Sequence, residues 1–309
     1  MRIGIDLGGM SVKAGLVNDE LQIVYKEAIP TDIANGKEKL AQDIIDLIKR
    51  VCEKAEGKVD GIGIGVPGDV NKFTGRVVYC NNIPLADIDL KGEIEKATGI
   101  STYINNDANV AALGEVLAGA AKEYSDAVMI TIGTGVGCGI VMNNEIYLGC
   151  NGAAGEIGHH CIEVDGLQCA CGRKGCYELY ASTTALIRMT REAMEANPDS
   201  KMWEIAGSIE KAGGKTAFDA MRAGDAVATE VVNTFIKYVA AGLVNVVNIF
   251  QPEVLIIGGG ISKEGEYLMA PLREIICRDR YSRGEVQADF VVATLGNDAG
   301  IIGASQLGK

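Results

Sequence analysis

The chain has 309 residues, 48% of them apolar and 5% aromatic, which is enough for two ordinary domains cored by Ile, Val, Leu and Ala. Its net charge of −12 argues against nucleic acid as the main partner. A charged N-terminus, nine cysteines without a regular spacing, and a longest apolar run (239–250) broken by Asn245 and Asn248 argue against a signal peptide, a disulfide framework and a membrane span, and point to a cytoplasmic protein.

Residues 2–7, 12–17 and 21–29 are expected to form a three-stranded meander, with turns at Gly8-Gly9 and Asn18-Asp19. Apolar residues at helical spacing (Leu40, Ile44, Leu47, Ile48, Val51) predict a helix over 36–56. A strand follows at 59–66, then a helix at 89–98, a strand at 102–105 and a helix at 108–121. Strands are expected at 127–132 and 139–142, and a helix at 180–196. The polar stretch 197–216 carries no clear pattern. A long helix over 225–250 has Asp225 at its N-cap; a strand at 253–257, a helix at 264–277, a strand at 289–293 and a helix at 298–306 close the chain.

The opening pattern of strand, glycine turn and returning strand recurs at 127–142. This favours internal duplication over two unrelated hairpins, because strand length and flanking topology match as well. The domain boundary is expected between Ala118 and Ser125.

Residues 156–178 hold both histidines of the chain and four of its cysteines. Cys169, Cys171 and Cys176 stand at C-x-C-x4-C spacing, ten residues after His159. Three thiolates and an imidazole make the closed tetrahedral set of a structural Zn2+. The alternative is a group of buried thiols. With zinc, the clip would hold the flanking carboxylates Glu156 and Glu178 in place.

Glycine turns follow strands at Gly8-Gly9, 133–137 and 258–260, where bare backbone amides can approach phosphate oxygens. None fits a P-loop or a dinucleotide fingerprint, and each alone reads equally as a tight turn. Asp107 stands at a strand-to-helix junction, as a general base or as an N-cap, and Asn106 beside it would hydrogen-bond a polyol.

D-L-G-G-x-x-x-K at 6–13, N-D-A-N at 106–109, G-E-I-G-H at 155–159 and C-x-C-G-x-x-G-C-x-E at 169–178 together resemble the ROK (repressor, open reading frame, kinase) sugar kinases, over essentially the whole chain. The bacterial ROK glucokinases are closest in character. The resemblance implies an α/β, actin-like, hexokinase-type (ribonuclease H-like) duplicated fold with an interdomain cleft. The smaller domain would cover 1–120, joined by the C-terminal helix at about 298–309, and the larger one, with the zinc segment, 121–297.

It implies ATP-dependent phosphorylation of a hexose at its 6-hydroxyl. Asp107 would be the base. Gly68, Asn82, Asn106, Glu156, His159 and Glu178 would bind the sugar, His159 using its second ring nitrogen. Gly8, Gly9, Lys13, Thr131, Gly133 and Thr134 would cradle the phosphates, Gly258 and Gly259 would lie against the adenosine, and Asp6 would hold Mg2+ through water. The family usually has Thr at the position of Met10, so one phosphate contact would be weaker here. No room is expected before the first hairpin for the winged helix-turn-helix of DNA-reading members. Family likeness also suggests a homodimer. The alternatives are another acceptor (N-acetylmannosamine, N-acetylglucosamine, fructose or allose) or a non-catalytic sugar-binding regulator.

Overall fold

A computed structural model describes residues 1–309 apart from Asn81, Asn82, Asp87 and Glu285. Strands β1 (Arg2–Leu7), β2 (Ser11–Val17) and β3 (Ile23–Pro30) form the expected antiparallel meander. In β3 half-buried and exposed residues alternate, as suits an edge strand with one wet face. Helix α1 (Lys37–Cys52) buries Leu40, Ala41, Ile44, Ile45, Leu47, Ile48 and Val51, one apolar stripe at 3.6-residue spacing. The buried strand β4 (Ile62–Val66) lies parallel to β1. The short pair β5 (Asp69–Val70) and β6 (Val77–Tyr79) precedes α2 (Leu90–Thr98), which starts at an Asp89 N-cap and stops at a left-handed Gly99. Strand β7 (Thr102–Asn106) then runs directly into α3 (Asp107–Ala118), and the sheet order is β3-β2-β1-β4-β7.

The second half repeats this plan. Strands β8 (Ala127–Ile132), β9 (Val136–Met142) and β10 (Glu145–Ile146) open it. A long excursion follows through α4 (Glu178–Ala181), α5 (Thr183–Ala196), α6 (Lys201–Ala206) and α7 (Thr216–Arg222). Helix α8 (Ala226–Phe250) then leads to β11 (Val254–Gly258), α9 (Glu266–Asp279), β12 (Asp289–Val292) and α10 (Ala299–Ser305). The second sheet has the order β10-β9-β8-β11-β12, so α8, α9 and α10 stand in sequence where α1, α2 and α3 stand in the first half. The stretch 197–216, without a pattern in sequence, contains α6 and leads into α7.

By length and composition α8 could cross a membrane, but 50% of its most apolar window is buried inside the protein. Val231, Val232, Phe235, Ile236, Val239 and Leu243 are among its buried residues, and α4, α5, α7 and α9 pack on it. It is a core helix of its unit.

Two compact units divide the chain: Met1–Met129 with Cys138–Gly155 and Ala293–Lys309, and Ile130–Gly137 with Glu156–Val292. Cys138–Gly155 belongs to the first because Gly139 lies against Ala108 and Ala112 of α3. In the same unit α10 lies on a glycine floor. Gly4 of β1 and Gly63 of β4 are register partners, and a Cβ on either would overlap the main chain of α10, at Ile301 and Ala304. Arg2 closes the far end of α10, donating to the carbonyls of Ser305 and Leu307. Glu115, fully buried in α3, accepts from Ala120 N, Thr294 N, Thr294 Oγ1 and Leu295 N, which fixes the chain as it re-enters this unit.

Candidate functional site

In the first unit the β7–α3 junction separates two roles that the sequence leaves open for Asp107. Asn106, not Asp107, is the N-cap: its backbone is extended (φ −65°, ψ 146°), and its Oδ1 accepts from Ala108 N at 2.9 Å and Asn109 N at 3.3 Å. Asn106 Nδ2 donates to Gly68 O at 3.0 Å, which brings Gly68 and Asn106 together. Gly68 has φ +125°, and a Cβ there would overlap the carbonyl of Tyr79. Asp107 is the first residue of the helix, half-buried, with Oδ1 accepting from Ala108 N at 2.8 Å. Asn82 lies outside the described residues.

The first glycine turn lies in the same unit. Gly8 N donates to Ser11 O at 3.0 Å, and Thr31 Oγ1 donates to Gly8 O at 2.6 Å. The antiparallel register sets Asp6 opposite Lys13, and the two form an ion pair at 3.0 Å. Met10 is 90% exposed, so its apolar side chain adds nothing to the core. A Cβ at Gly9 would meet nothing within 4 Å. Packing does not require glycine there; a ligand that approaches the bare backbone would. A cavity of about 840 Å³ in this unit is lined among others by Tyr103, Leu113, Ile146 and Leu307; among the described residues, none of the expected site residues lines it.

In the second unit the turn after β8 is tied to the start of α5. Thr183 N donates to Gly133 O at 2.8 Å, and Thr184 Oγ1 donates to Thr134 O at 2.7 Å. Ser182 caps α5 through Ala185 N. A Cβ at Gly133, as at Gly9, would meet nothing within 4 Å. Glu178 reaches the same turn: its Oε2 accepts from Val136 N at 2.9 Å, and a Cβ at Gly135 would overlap that oxygen. Thr131, at the end of β8, leads into this turn. Gly259 is seated on the end of β8 as well; its φ is +85°, and a Cβ would overlap the carbonyl of Ile132. Gly258 is the last residue of β11. Neither the Thr183–Thr184 tether nor the Glu178–Val136 bond has a local signature in the sequence.

His159, Cys169, Cys171 and Cys176 converge, their ligand atoms all within 4.8 Å of one another. Cys171 Sγ lies 3.5 Å from Cys176 Sγ, and Cys169 Sγ lies 3.8 Å from His159 Nδ1. Ligand atoms around tetrahedral zinc stand roughly 3.5–3.8 Å apart, given Zn–S near 2.3 Å and Zn–N near 2.0–2.1 Å. These two separations lie at that spacing, and a set of three thiols and one imidazole is of the chemistry that suits the ion. Gly172 (φ +92°) and Gly175 (φ +72°) turn the chain between the ligands.

Burial, with hydrogen bonds from Cys171 and Cys169, pushes the Cys176 thiol up to about 12. The Arg173 backbone amide, outweighing desolvation, lowers that of Cys171. Tyrosines dock the knuckle on α8: Tyr177 Oη donates to Val239 O at 2.8 Å, and the Tyr180 and Tyr238 rings stand 4.8 Å apart. Glu156 is exposed, and its carbonyl accepts from His159 N at 3.1 Å.

Known proteins resemble this chain over nearly its whole length. A glucokinase of Halalkalibacterium halodurans is 38% identical, the match covering 99% of this chain and 94% of that protein. The crystal structure of a ROK family glucokinase from Streptomyces griseus, in complex with glucose and AMPPNP, superposes with a TM-score of 0.82 at 34% identity, covering 99% of this chain and 98% of that one. A xylose repressor of Caldicellulosiruptor bescii is 33% identical over 89% of this chain and 69% of its own length. The fold is the actin-like, two-domain fold of these kinases. The ROK family model matches residues 2–309, and the chain belongs to the ROK family.

Proposed function

We propose that this protein transfers the γ-phosphoryl group of ATP to the 6-hydroxyl of a hexose, glucose first among them. It is an ATP-dependent sugar kinase, supported by glucokinase relatives across the full chain and by a glucokinase structure of the same fold. The observation that carries the chemistry is the division of labour at the β7–α3 junction. Asn106 is the cap of the helix, so the cap does not require Asp107, although Asp107 Oδ1 also accepts from Ala108 N. Its carboxylate stands at the head of a rigid helix, where a general base for a sugar hydroxyl belongs.

Phosphoryl transfer asks a protein chiefly to position groups and stabilise charge. Asp107 takes the hydroxyl proton late, from within ~2.6–3.2 Å. Asn106 commits Oδ1 to the helix and one amide hydrogen to Gly68, which leaves its second amide hydrogen for a sugar oxygen. Glu178 commits Oε2 to Val136 and offers Oε1 to a hydroxyl. Glu156 and the second nitrogen of His159 complete the grip on the sugar, with Gly68 and Asn82.

Lys13 and the Gly8-Gly9 turn face phosphate, the Gly8 amide closing the turn on Ser11, as do Thr131, Gly133 and Thr134; Gly258 and Gly259 meet the adenosine. Asp6 would be the residue to hold Mg2+, which would supply charge neutralisation of the polyphosphate. Zn2+, when bound, supplies a closed clip that orients His159 and the chain on either side. The proposal extends to a homodimer in the cytoplasm, on family likeness.

ADP release measured over a panel of hexoses tests this. Glucose is expected to give the highest kcat/KM, ahead of N-acetylmannosamine, N-acetylglucosamine, fructose and allose. A sugar-binding regulator, the reading that the repressor relative favours, binds sugar yet releases no ADP above the sugar-free control; that result would overturn the kinase assignment.

A further inference from the structure

Glu264 has almost no access to water: its side chain is 4% exposed. It closes the 3-10 turn Gly260–Glu264, which begins directly after Gly258 and Gly259. A carboxylate taken out of water needs a partner, or its charge goes uncompensated. The partner comes from the end of α7, where Arg222 Nη1 donates to Glu264 Oε2 at 2.7 Å. The same guanidinium donates from Nη2 to Asp219 Oδ1 at 2.6 Å and stands 5.1 Å from the ring centroid of Tyr267 in α9. Arg222 is thus held on three sides and presents one fixed donor to Glu264.

At its other end this turn is pinned by Gly259, seated against Ile132 where β8 runs into Gly133. Ser262 Oγ donates to Gly259 O at 2.8 Å and stiffens the chain between the two pins. Without Arg222 the buried carboxylate loses its ion-pair partner, and a shift of Glu264 toward water would carry residues 259–264 with it.

We propose, on the reading that Gly258 and Gly259 lie against the adenosine of ATP, that Arg222 is a positioning residue for the nucleotide: by pairing with Glu264 it fixes the turn 258–264 in the register that receives the adenosine. It touches neither the sugar nor the transferred phosphoryl group. Its loss therefore acts on ATP and spares glucose.

The test is steady-state kinetics of the full chain with ATP and glucose varied separately. Arg222→Met is expected to raise the KM for ATP about tenfold, the scale of one lost hydrogen bond to a charged group, with kcat and the KM for glucose within about twofold of the parent. Arg222→Lys keeps the charge without the fork and should fall between. The double variant Arg222→Met with Glu264→Gln removes both charges and should recover the KM for ATP to within about threefold, which a general loss of folding would not do. It also keeps the idea testable where the single variant fails to fold.

An unchanged KM for ATP in Arg222→Met, an equal rise for glucose, or a double variant no better than the single would overturn the role. Hydrogen exchange of the parent with a non-hydrolysable ATP analogue separates the two layers. Absence of protection over 258–264 removes the adenosine reading itself, whereas protection with an unchanged KM in Arg222→Met removes only the role of Arg222.

Discussion

Glu178 accepts a hydrogen bond from the main chain of Val136, Oε2 to N at 2.9 Å. A carboxylate proposed to grip sugar is thereby seated on the glycine turn proposed to hold phosphate, so a shift of either carries the other. Glu178→Gln retains an acceptor for Val136 N and is expected to cost little stability. Glu178→Ala leaves that amide unpaired, which destabilises by about 1–3 kcal/mol, and should raise the KM for glucose about tenfold or more. Kinetics and denaturant unfolding on both variants check the difference.

Asp107 and Asn106 should separate cleanly. Asp107→Ala is expected to lower kcat by about 10²–10⁴-fold while glucose still binds, because the helix cap is untouched. Asn106→Ala removes that cap and should lower stability by ~1 kcal/mol. Substantial turnover in Asp107→Ala, measured alongside glucose binding by calorimetry, would take the base role away from it.

Gly9 lies in open space, so Gly9→Ala should leave the thermal midpoint where it is. The same methyl group stands where a phosphate would approach the backbone, and the KM for ATP is expected to rise about tenfold. A variant with unaltered ATP kinetics would show that the turn is only a turn.

The His159–Cys176 cluster predicts about one zinc per chain by elemental analysis. Each thiol must lose its proton to bind the ion, and burial holds that of Cys176 up near 12, so zinc affinity falls as pH falls. Stripping zinc with a chelator, or Cys176→Ser, should lower the unfolding midpoint and reduce activity roughly 10–100-fold, as loss of support around a site does. Purified protein without zinc, and full activity in Cys176→Ser, would contradict this.

Asp225 joins two helix starts. Its carboxylate accepts from Ser200 Oγ at 2.7 Å and Lys201 N at 2.6 Å at the head of α6, and from Ala228 N at 3.0 Å in α8. Burial pushes its pKa up, but the bonds from Ser200, Ala228, Lys201 and Val227 outweigh burial and hold it below the usual carboxylate range. A depressed folded-state pKa contributes stability that is present above the unfolded value, near 3.9, and lost as pH falls through the folded value. Asp225→Ala should therefore cost about 1–2 kcal/mol at neutral pH and show a smaller loss of stability below about pH 4 than the parent. Urea unfolding across pH 2.5–7 (roughly the window set by these carboxylate values) reads both effects.

What the sequence by itself determined is whatever depends on neighbours along the chain. Period-2 and period-3.6 patterns placed the meander of β1–β3, the stripe of α1 and the length of α8, because one buried face repeats at the pitch of the element. The N-cap Asp225 was readable because a cap serves amides two or three residues ahead. The cluster of His159, Cys169, Cys171 and Cys176 was readable because its cysteines lie in one short loop. The repeat of strand and glycine turn announced two sheets of one plan.

Only the tertiary structure decided which of Asn106 and Asp107 caps α3, since that turns on the backbone angles at the junction and on the pull of Gly68 O. Tertiary packing also joined Glu178 to Val136, Thr184 to Thr134 and Arg222 to Glu264, each pair forty residues or more apart in sequence. The polar stretch ahead of α7 hid α6 although its cap, Ser200, stands next to it: so short a helix draws its stability mainly from packing and from distant bonds such as that of Lys201 N to Asp225, which its own residues do not announce.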